Sequence, residues 1–321
     1  MVDVLEEGTP KDKERQNGRK IKWLDILFGA FAIFVFSSSY TLAKIVLEQV
    51  PPITVGAIRF ALASAFVLPF ALIKYRSRLF GGYSRKDWTI VVAVATSFIF
   101  LPQVFQNVGL LYTSASLAGV IQSTIPIFVA ILAFLFLKER ISSIRWIGAA
   151  ISLVGVILIS SGGNILGFEG SSALGNALQV GATFFYAIGS ILVKSALKRM
   201  KPAVLITMIF LIGGCLLSLT SISEAGSWPS SLSNETLLAL LLFSGLYASG
   251  LFCWFWVLEH VSVSSLYFTL FLMPILGIII PVILLGETFT MLDVTFAFVI
   301  LLGLGVAQIS DIRKESTPKM Q

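Results

Sequence analysis

Ten stretches of about 20 mostly apolar residues, the length that crosses a bilayer, divide this chain. They fall at 24–46, 53–73, 88–110, 115–137, 144–161, 174–195, 203–222, 236–258, 263–285 and 292–310. The intervals between them are too short for a large soluble domain. Only 12% of the residues are charged, about half the share in soluble domains. In lipid every backbone N–H and C=O needs an internal partner, so apolar runs of this length must be helices. The expected fold is an all-α integral membrane protein with ten transmembrane helices.

The basic residues test that count. Clusters occur in 11–22, 74–86, 138–145, 194–201 and 313–319, and together they hold 21 of the 23 Lys and Arg. With ten helices, all five clusters fall on one side of the membrane. The opposite joints carry acids, among them Glu48, Glu169, Glu224, Glu235 and Glu287. The positive-inside rule makes that basic side cytoplasmic, both termini included. Residues 1–22 are expected to form a short cytoplasmic tail, since no apolar stretch with a small-residue cleavage site follows their basic region. A second tail is expected at 311–321. The net charge of +6 therefore records topology rather than a nucleic-acid surface. Cys215 and Cys253 lie inside apolar runs, where small buried side chains are expected rather than a disulfide.

The chain also repeats itself. "TSASLAGVIQSTIPIFVAILAFLFLKERIS" aligns without a gap with "VSVSSLYFTLFLMPILGIIIPVILLGETFT" at an offset of 148. Ser116 meets Ser264, Pro126 meets Pro274, Glu139 meets Glu287, and in the next run Gly155 meets Gly303. Lys44 and Lys194 each precede a proline by eight residues. Residues 23–161 and 174–310 thus read as two five-helix repeats. Because five is odd, the second enters the membrane inverted. Inverted repeats around a midplane site are an architecture of alternating-access carriers. The inversion also explains a difference between the copies. Glu139 ends its helix in the cytosol between Lys138 and Arg140, whereas Glu287 ends its helix outside, between Gly286 and Thr288. Pro126 and Pro274 are expected to interrupt or kink their helices, and each removes one backbone donor.

"VPPITVGAIRFALASAF" after the first run, "NVGLLYTSASLAGVIQSTIPIFVAILAFLFLKERIS" across the third and fourth, and its echo at 260–290 resemble the drug/metabolite transporter superfamily, of the EamA-type ten-helix kind. The resemblance spans about 24 to 310. It implies two inverted repeats around a central cavity and movement of small metabolites, amino acids or drugs. The second copy departs from the pattern by ending "GETFT", without an arginine. The resemblance does not name the cargo.

Polar residues inside membrane helices face other helices or a cavity. Gln103, Gln106 and Asn107 are clustered in the third run, with Gln103 and Gln106 three apart on one face. Gln122 lies in the fourth run, Gln179 and Tyr186 in the sixth, Tyr40 in the first, Tyr247 and Trp254 in the eighth and Tyr267 in the ninth. The resemblance places helices 1, 3, 4, 6, 8 and 9 around the cavity. Tyr40, Gln103, Gln106, Asn107, Gln122, Gln179, Tyr186, Trp254 and Tyr267 are therefore the expected substrate-binding residues. Amides, hydroxyls and aromatic faces suit a neutral, zwitterionic or aromatic solute, and aromatic faces also accept an ammonium group. Lys44, Arg59, Pro126, Pro274, Glu139 and Glu287 are expected to serve structure and gating. Lys44 is read as snorkelling to the outer interface. Arg59 is read as pairing with Glu48 or with helix-end carbonyls, or meeting an anionic group of the substrate.

The expected function is a secondary transporter of a small amino acid, amine or drug-like solute by alternating access. A nucleotide-sugar or sugar-phosphate exchanger is the alternative, ahead of a channel or a membrane enzyme. The sequence has no phosphate loop, no metal-spaced His/Cys set and no nucleophile motif, so no enzyme activity, metal or cofactor is expected. No acid lies deep in any run, and the lone His260 stands beside Glu259 at a helix end. Uniport or exchange follows more readily than proton coupling. The expected partners are the small solute and the lipid bilayer, as a monomer or homodimer, in a bacterial cytoplasmic (inner) membrane.

Overall fold

The structure, a computed structural model, describes residues 23–76, 79, 81–137, 142–161, 171–260, 272–288 and 290–316. At 160, 171, 194, 254–260, 272 and 308–316 it describes the backbone alone. Among the described residues every regular element is helical. The helices are α1 (Trp23–Leu47), α2 (Pro52–Tyr75), α3 (Arg85–Leu110), α4 (Ala115–Gln122 and Ile125–Leu137) and α5 (Ser143–Ser160). They continue with α6 (Ser171–Leu197), α7 (Pro202–Ser221), α8 (Asn234–His260), α9 (Leu272–Leu285) and α10 (Met291–Ser316). A short 3₁₀ segment, Ile222–Ser227, extends α7. Seven of these helices are long and apolar enough to cross a bilayer, and apolar parts of α5, α9 and α10 are shorter.

Local chemistry accounts for the boundaries. Pro52 and Pro202 open α2 and α7, at a position where the missing N–H costs nothing. Ser84, Ser114 and Ser142 cap the helices that follow them. Gly286 ends α9 with φ of +63°, a left-handed conformation that glycine adopts without strain. Within α3, Ala95–Phe100 is π-helical, and Leu101 N bonds to Thr96 O. Pro102 follows this wide turn and cannot donate a bond of its own, which favours the wider register there. α4 breaks at Ser123–Thr124, just before Pro126. The two aligned prolines differ in setting: Pro126 is exposed, whereas Pro274 is buried.

The bundle exposes large apolar side chains and buries polar ones within its apolar core. Phe66, Ile73, Phe136, Leu238, Ile283 and Phe298 are exposed, while Ser37, Thr41, Arg59, Gln103, Asn107, Gln179 and Thr183 are buried. Water would reverse this arrangement, and lipid permits it. Cys215 is also exposed and Cys253 half-buried, both free. This corrects the expectation of two buried thiols: among the described residues, Cys215 lies on an exposed side of α7.

The largest packing faces join the first five helices to the last five. α1 packs on α8 and α3 on α6; α2 meets α7, α4 meets α9, and α5 meets α10. α1 also packs on α9, as α4 does on α6. Exchanging each helix with the one five places on maps this list onto itself. Small residues bring several of these pairs together, as lipid-embedded helices require. Gly148, Ser152 and Gly155 on α5 press against Gly303, Ala307 and Ile300 on α10. Ser152 Oγ donates to Ile300 O at 2.8 Å. On α4 and α9, Gly119 lies against Gly277, whose carbonyl has lost its helical donor to Pro281.

At the basic end, Asp87 closes a capping box with Ser84 and pairs with Arg199 at 2.9 Å. Arg199 is largely exposed, so this pair contributes little by itself, whereas the cap holds a helix end. Asp87→Ala is expected to lower the Tm by about 2–4 °C and Arg199→Ala by less, as measured by thermal unfolding in detergent.

Candidate functional site

The interior polar residues form two strings on opposite sides of α3. Gln103 and Asn107, four residues apart, face α2. Arg59 Nη1 donates to Gln103 Oε1 at 3.0 Å, Gln103 Nε2 donates to Asn107 Oδ1 at 2.9 Å, and Asn107 Nδ2 donates to Pro52 O at 2.9 Å. On the other side, Gln179 Nε2 of α6 donates to the backbone carbonyl of Gln106 at 2.9 Å. Thr183, one turn further along α6, lies 3.2 Å from Gln122 Oε1 and donates to Gln179 O at 2.8 Å. The structure therefore groups Gln103 with Asn107 rather than with Gln106. Gln179 Oε1 is buried without a partner.

Aromatic rings complete the interior. The Arg59 guanidinium carbon stands 3.8 Å from the ring centre of Phe243 and 4.1 Å from that of Tyr247, with Phe60 at 5.5 Å. Tyr247 is stacked on Phe210 and meets Phe36 and Phe60 edge-on. Tyr186 meets Phe98, in the π-helical turn of α3, with centroids 5.4 Å apart. Tyr40, Tyr186 and Tyr247 all lie within electrostatic reach of the guanidinium. Arg59 thus bonds to a glutamine and lies on aromatic faces. Glu48, the carboxylate expected beside it, is exposed at the end of the bundle.

A third group closes the end of the bundle that carries the acidic joints. Lys44 is half-buried rather than snorkelling. Its Nζ donates to Leu110 O and Thr113 O, the terminal carbonyls of α3 and its turn. Those carbonyls have no helical donor, and a cation suits that end of the helix dipole. Glu287 grips the other limb of the same hairpin. It accepts from Ala115 N at 2.6 Å, Ser116 N at 2.9 Å and Ser116 Oγ at 2.6 Å, at the N-terminus of α4. Glu224 does the same for α2, accepting from Ile53 N at 3.1 Å and from Thr54 N and Oγ1 at 2.8 Å. Thr113 also bonds Asn176, which donates to Ile159 O. Nothing local in the sequence marks Glu224, Phe243 or Asn176 for these roles, because each partner is distant along the chain. Glu139 and Tyr267 lie outside the described residues, as does the side chain of Trp254.

Comparison with known proteins follows the same outline. The profile of the EamA-like transporter family matches residues 23–161 and 173–307. An "uncharacterized transporter" of Archaeoglobus fulgidus is 28% identical over 291 residues, covering 88% of this chain and 97% of the relative. The uncharacterized inner membrane transporter YedA of Escherichia coli K12 is 26% identical over 290 residues, covering 83% and 85%. The uncharacterized transporter YetK of Bacillus subtilis is 23% identical over 267 residues, covering 81% and 79%. One crystal structure superposes with a TM-score of 0.63 at 20% identity, covering 91% of this chain and 99% of that one, which shows a shared fold.

Proposed function

The chain belongs to the EamA-like transporter family, and on that footing we propose that it is a secondary carrier of a small metabolite, working by alternating access. Ten membrane helices form two inverted repeats, 23–161 and 174–310, with both termini in the cytosol. The solute, an amino acid, amine or drug-like molecule, occupies a central cavity between the repeats, in a bacterial cytoplasmic membrane. One observation carries this reading. The principal helix contacts cross from one set of five to the other and map onto themselves when the sets are exchanged. Two halves related in this way can rock about a fixed central site. Buried amides and hydroxyls on α3, α4 and α6, together with Tyr40 and Tyr186, supply polar contacts for that site. Trp254 and Tyr267 are proposed to join them on sequence grounds. The Lys44 and Glu287 contacts act as a clasp on the outer end.

Counterflow in proteoliposomes tests the carrier. Labelled amino acids, amines, nucleosides and sugar phosphates are offered against the same unlabelled solutes inside. At least one is expected to show saturable uptake stimulated from the trans side, whereas linear, unstimulated flux would mark a channel. Combining Gln106→Ala, Asn107→Ala and Trp254→Ala is expected to lower that uptake by about tenfold or more, as the loss of ~1.4 kcal/mol of solute contact would. Unchanged flux in a folded triple variant would remove the cavity assignment. Labelling of cysteines placed in 162–173 from the cytoplasmic side would overturn the topology.

A further inference from the structure

Arg59 carries more charge than its structural contacts need. It is only 2% exposed and lies about two turns into α2, roughly 10 Å from the helix start at 1.5 Å per residue. Among the described residues no carboxylate pairs with it, and its one hydrogen bond runs from Nη1 to Gln103. Its Nε is buried without an acceptor. The guanidinium carbon lies over the Phe243 and Tyr247 rings, and its directional bonds are those of its N–H edges. Nη1 is the terminal nitrogen on the Cδ side. The edge formed by Nε and Nη2 is therefore the unused one, and on that edge a guanidinium holds a carboxylate through two parallel bonds.

A structural tie would not require this. A neutral donor could complete the chain through Gln103 and Asn107, and an apolar side chain would pack on the same rings without desolvating a charge. A buried ionised group inside a membrane helix calls for a counter-charge. We propose that the Nε–Nη2 edge of Arg59 binds the carboxylate of the transported solute, so that the cargo is a monocarboxylate, amino acids included. A phosphate monoester fits less well, because its second charge would stay uncompensated in the same surroundings. The Tyr247 ring, 4.1 Å from the guanidinium carbon, belongs to the same surroundings. The proposal rests on the carrier reading above and adds the class of solute to it.

The test compares acids with their neutral derivatives on the purified full-length protein. Thermal unfolding is followed with the standard L-amino acids and simple monocarboxylates, and with the corresponding amides and methyl esters. At least one acid is expected to raise the Tm by several degrees while its amide does not. Arg59→Gln should abolish the shift, and Arg59→Lys should keep it at about tenfold or more higher ligand concentration, since a point charge cannot replace the fork. No shift with any acid, an equal shift with the amide, or a shift that survives in Arg59→Gln would each overturn the proposal. The comparison of acid with amide needs only the natural protein, so it decides the matter even if Arg59→Gln does not fold. Counterflow of the same compounds separates the two readings. Saturable exchange of amines or nucleosides without any carboxylate retains the carrier and removes this site. Binding of the acid without exchange of any compound removes the carrier and retains the site.

Discussion

Gly303→Leu is expected to leave no folded protein. A Cβ at this position would lie 2.3 Å from Ser152 Oγ, 2.4 Å from Ser152 N and 2.6 Å from Gly148 O. Two of those three atoms are backbone, so no rotamer change relieves the clash and α5 and α10 must separate. Separation also breaks the Ser152–Ile300 hydrogen bond and the packing of Val156, Phe296 and Ile300 around it. Overpacking alone costs about 1–3 kcal/mol. Parting two backbones adds the lost dispersion contacts of a whole interface, for a total above about 4 kcal/mol, in the range that marks a damaged core. The monodisperse peak in detergent gel filtration should disappear. Gly226→Leu, where nothing lies within 4 Å of the added Cβ, is the matched control and should elute as the natural protein does. A monodisperse, fully stable Gly303→Leu would show that α5 and α10 do not meet at this face.

Glu287→Gln is expected to have the second largest effect, on conformation more than on folding. The carboxylate accepts three bonds from the first residues of α4, and hydrogen bonds to a charged group contribute about 1.5–3 kcal/mol each. The amide retains one acceptor oxygen but loses the charge that faces the helix N-terminus. Glu287 is only half-buried, so the closed end loses stabilisation while the released side chain is simply hydrated. The reporter is a cysteine at Ala118, buried one turn below the clasp, in a background lacking Cys215 and Cys253. Labelling by a membrane-impermeant maleimide from outside should quicken about tenfold for every 1.4 kcal/mol lost from the closed form. Lys44→Gln, which releases the other limb of the hairpin, should act in the same direction. Equal labelling rates in the natural protein and both variants would sink the clasp.

The sequence made the helices legible because apolar length and breaker residues are local properties. Each apolar run contains a helix among the described residues, with most ends shifted by a few residues; the start of the run at 263–285 lies outside the described residues. The break before Pro126 follows from the missing N–H of that residue. The polar interior was legible as a set but not as a network. Gln103 and Asn107 turned out to share a face, while Gln106 contributes its carbonyl to a different neighbour. The reason is that residues three and four apart are both neighbours on a helix, and the position of Arg59 and Pro52 on α2 selects the 103/107 pair. Lys44 looked like a snorkelling lysine because sequence shows how near it stands to a helix end. It does not show that the carbonyls of Leu110 and Thr113 would be closer than water. Glu224 gave no signal, as an acid in a polar joint is ordinary until Ile53 and Thr54 arrive beside it. Pro126 and Pro274 have identical spacing in the repeat, yet one is exposed and the other buried. Spacing records common origin, and neighbours decide environment.

The crossing of the main helix contacts from one half to the other has a consequence for how the protein is made. When α1 to α5 have left the ribosome, the chief neighbours of each are still untranslated. Arg59 then sits in the bilayer before Phe243 and Tyr247 exist, and the backbone amides at the start of α4 await a carboxylate near the far end of the chain. The face between α5 and α10 can form only after α10 has been made. A stop codon shortly after residue 161 would therefore be expected to leave an orphan for membrane proteolysis rather than a stable half.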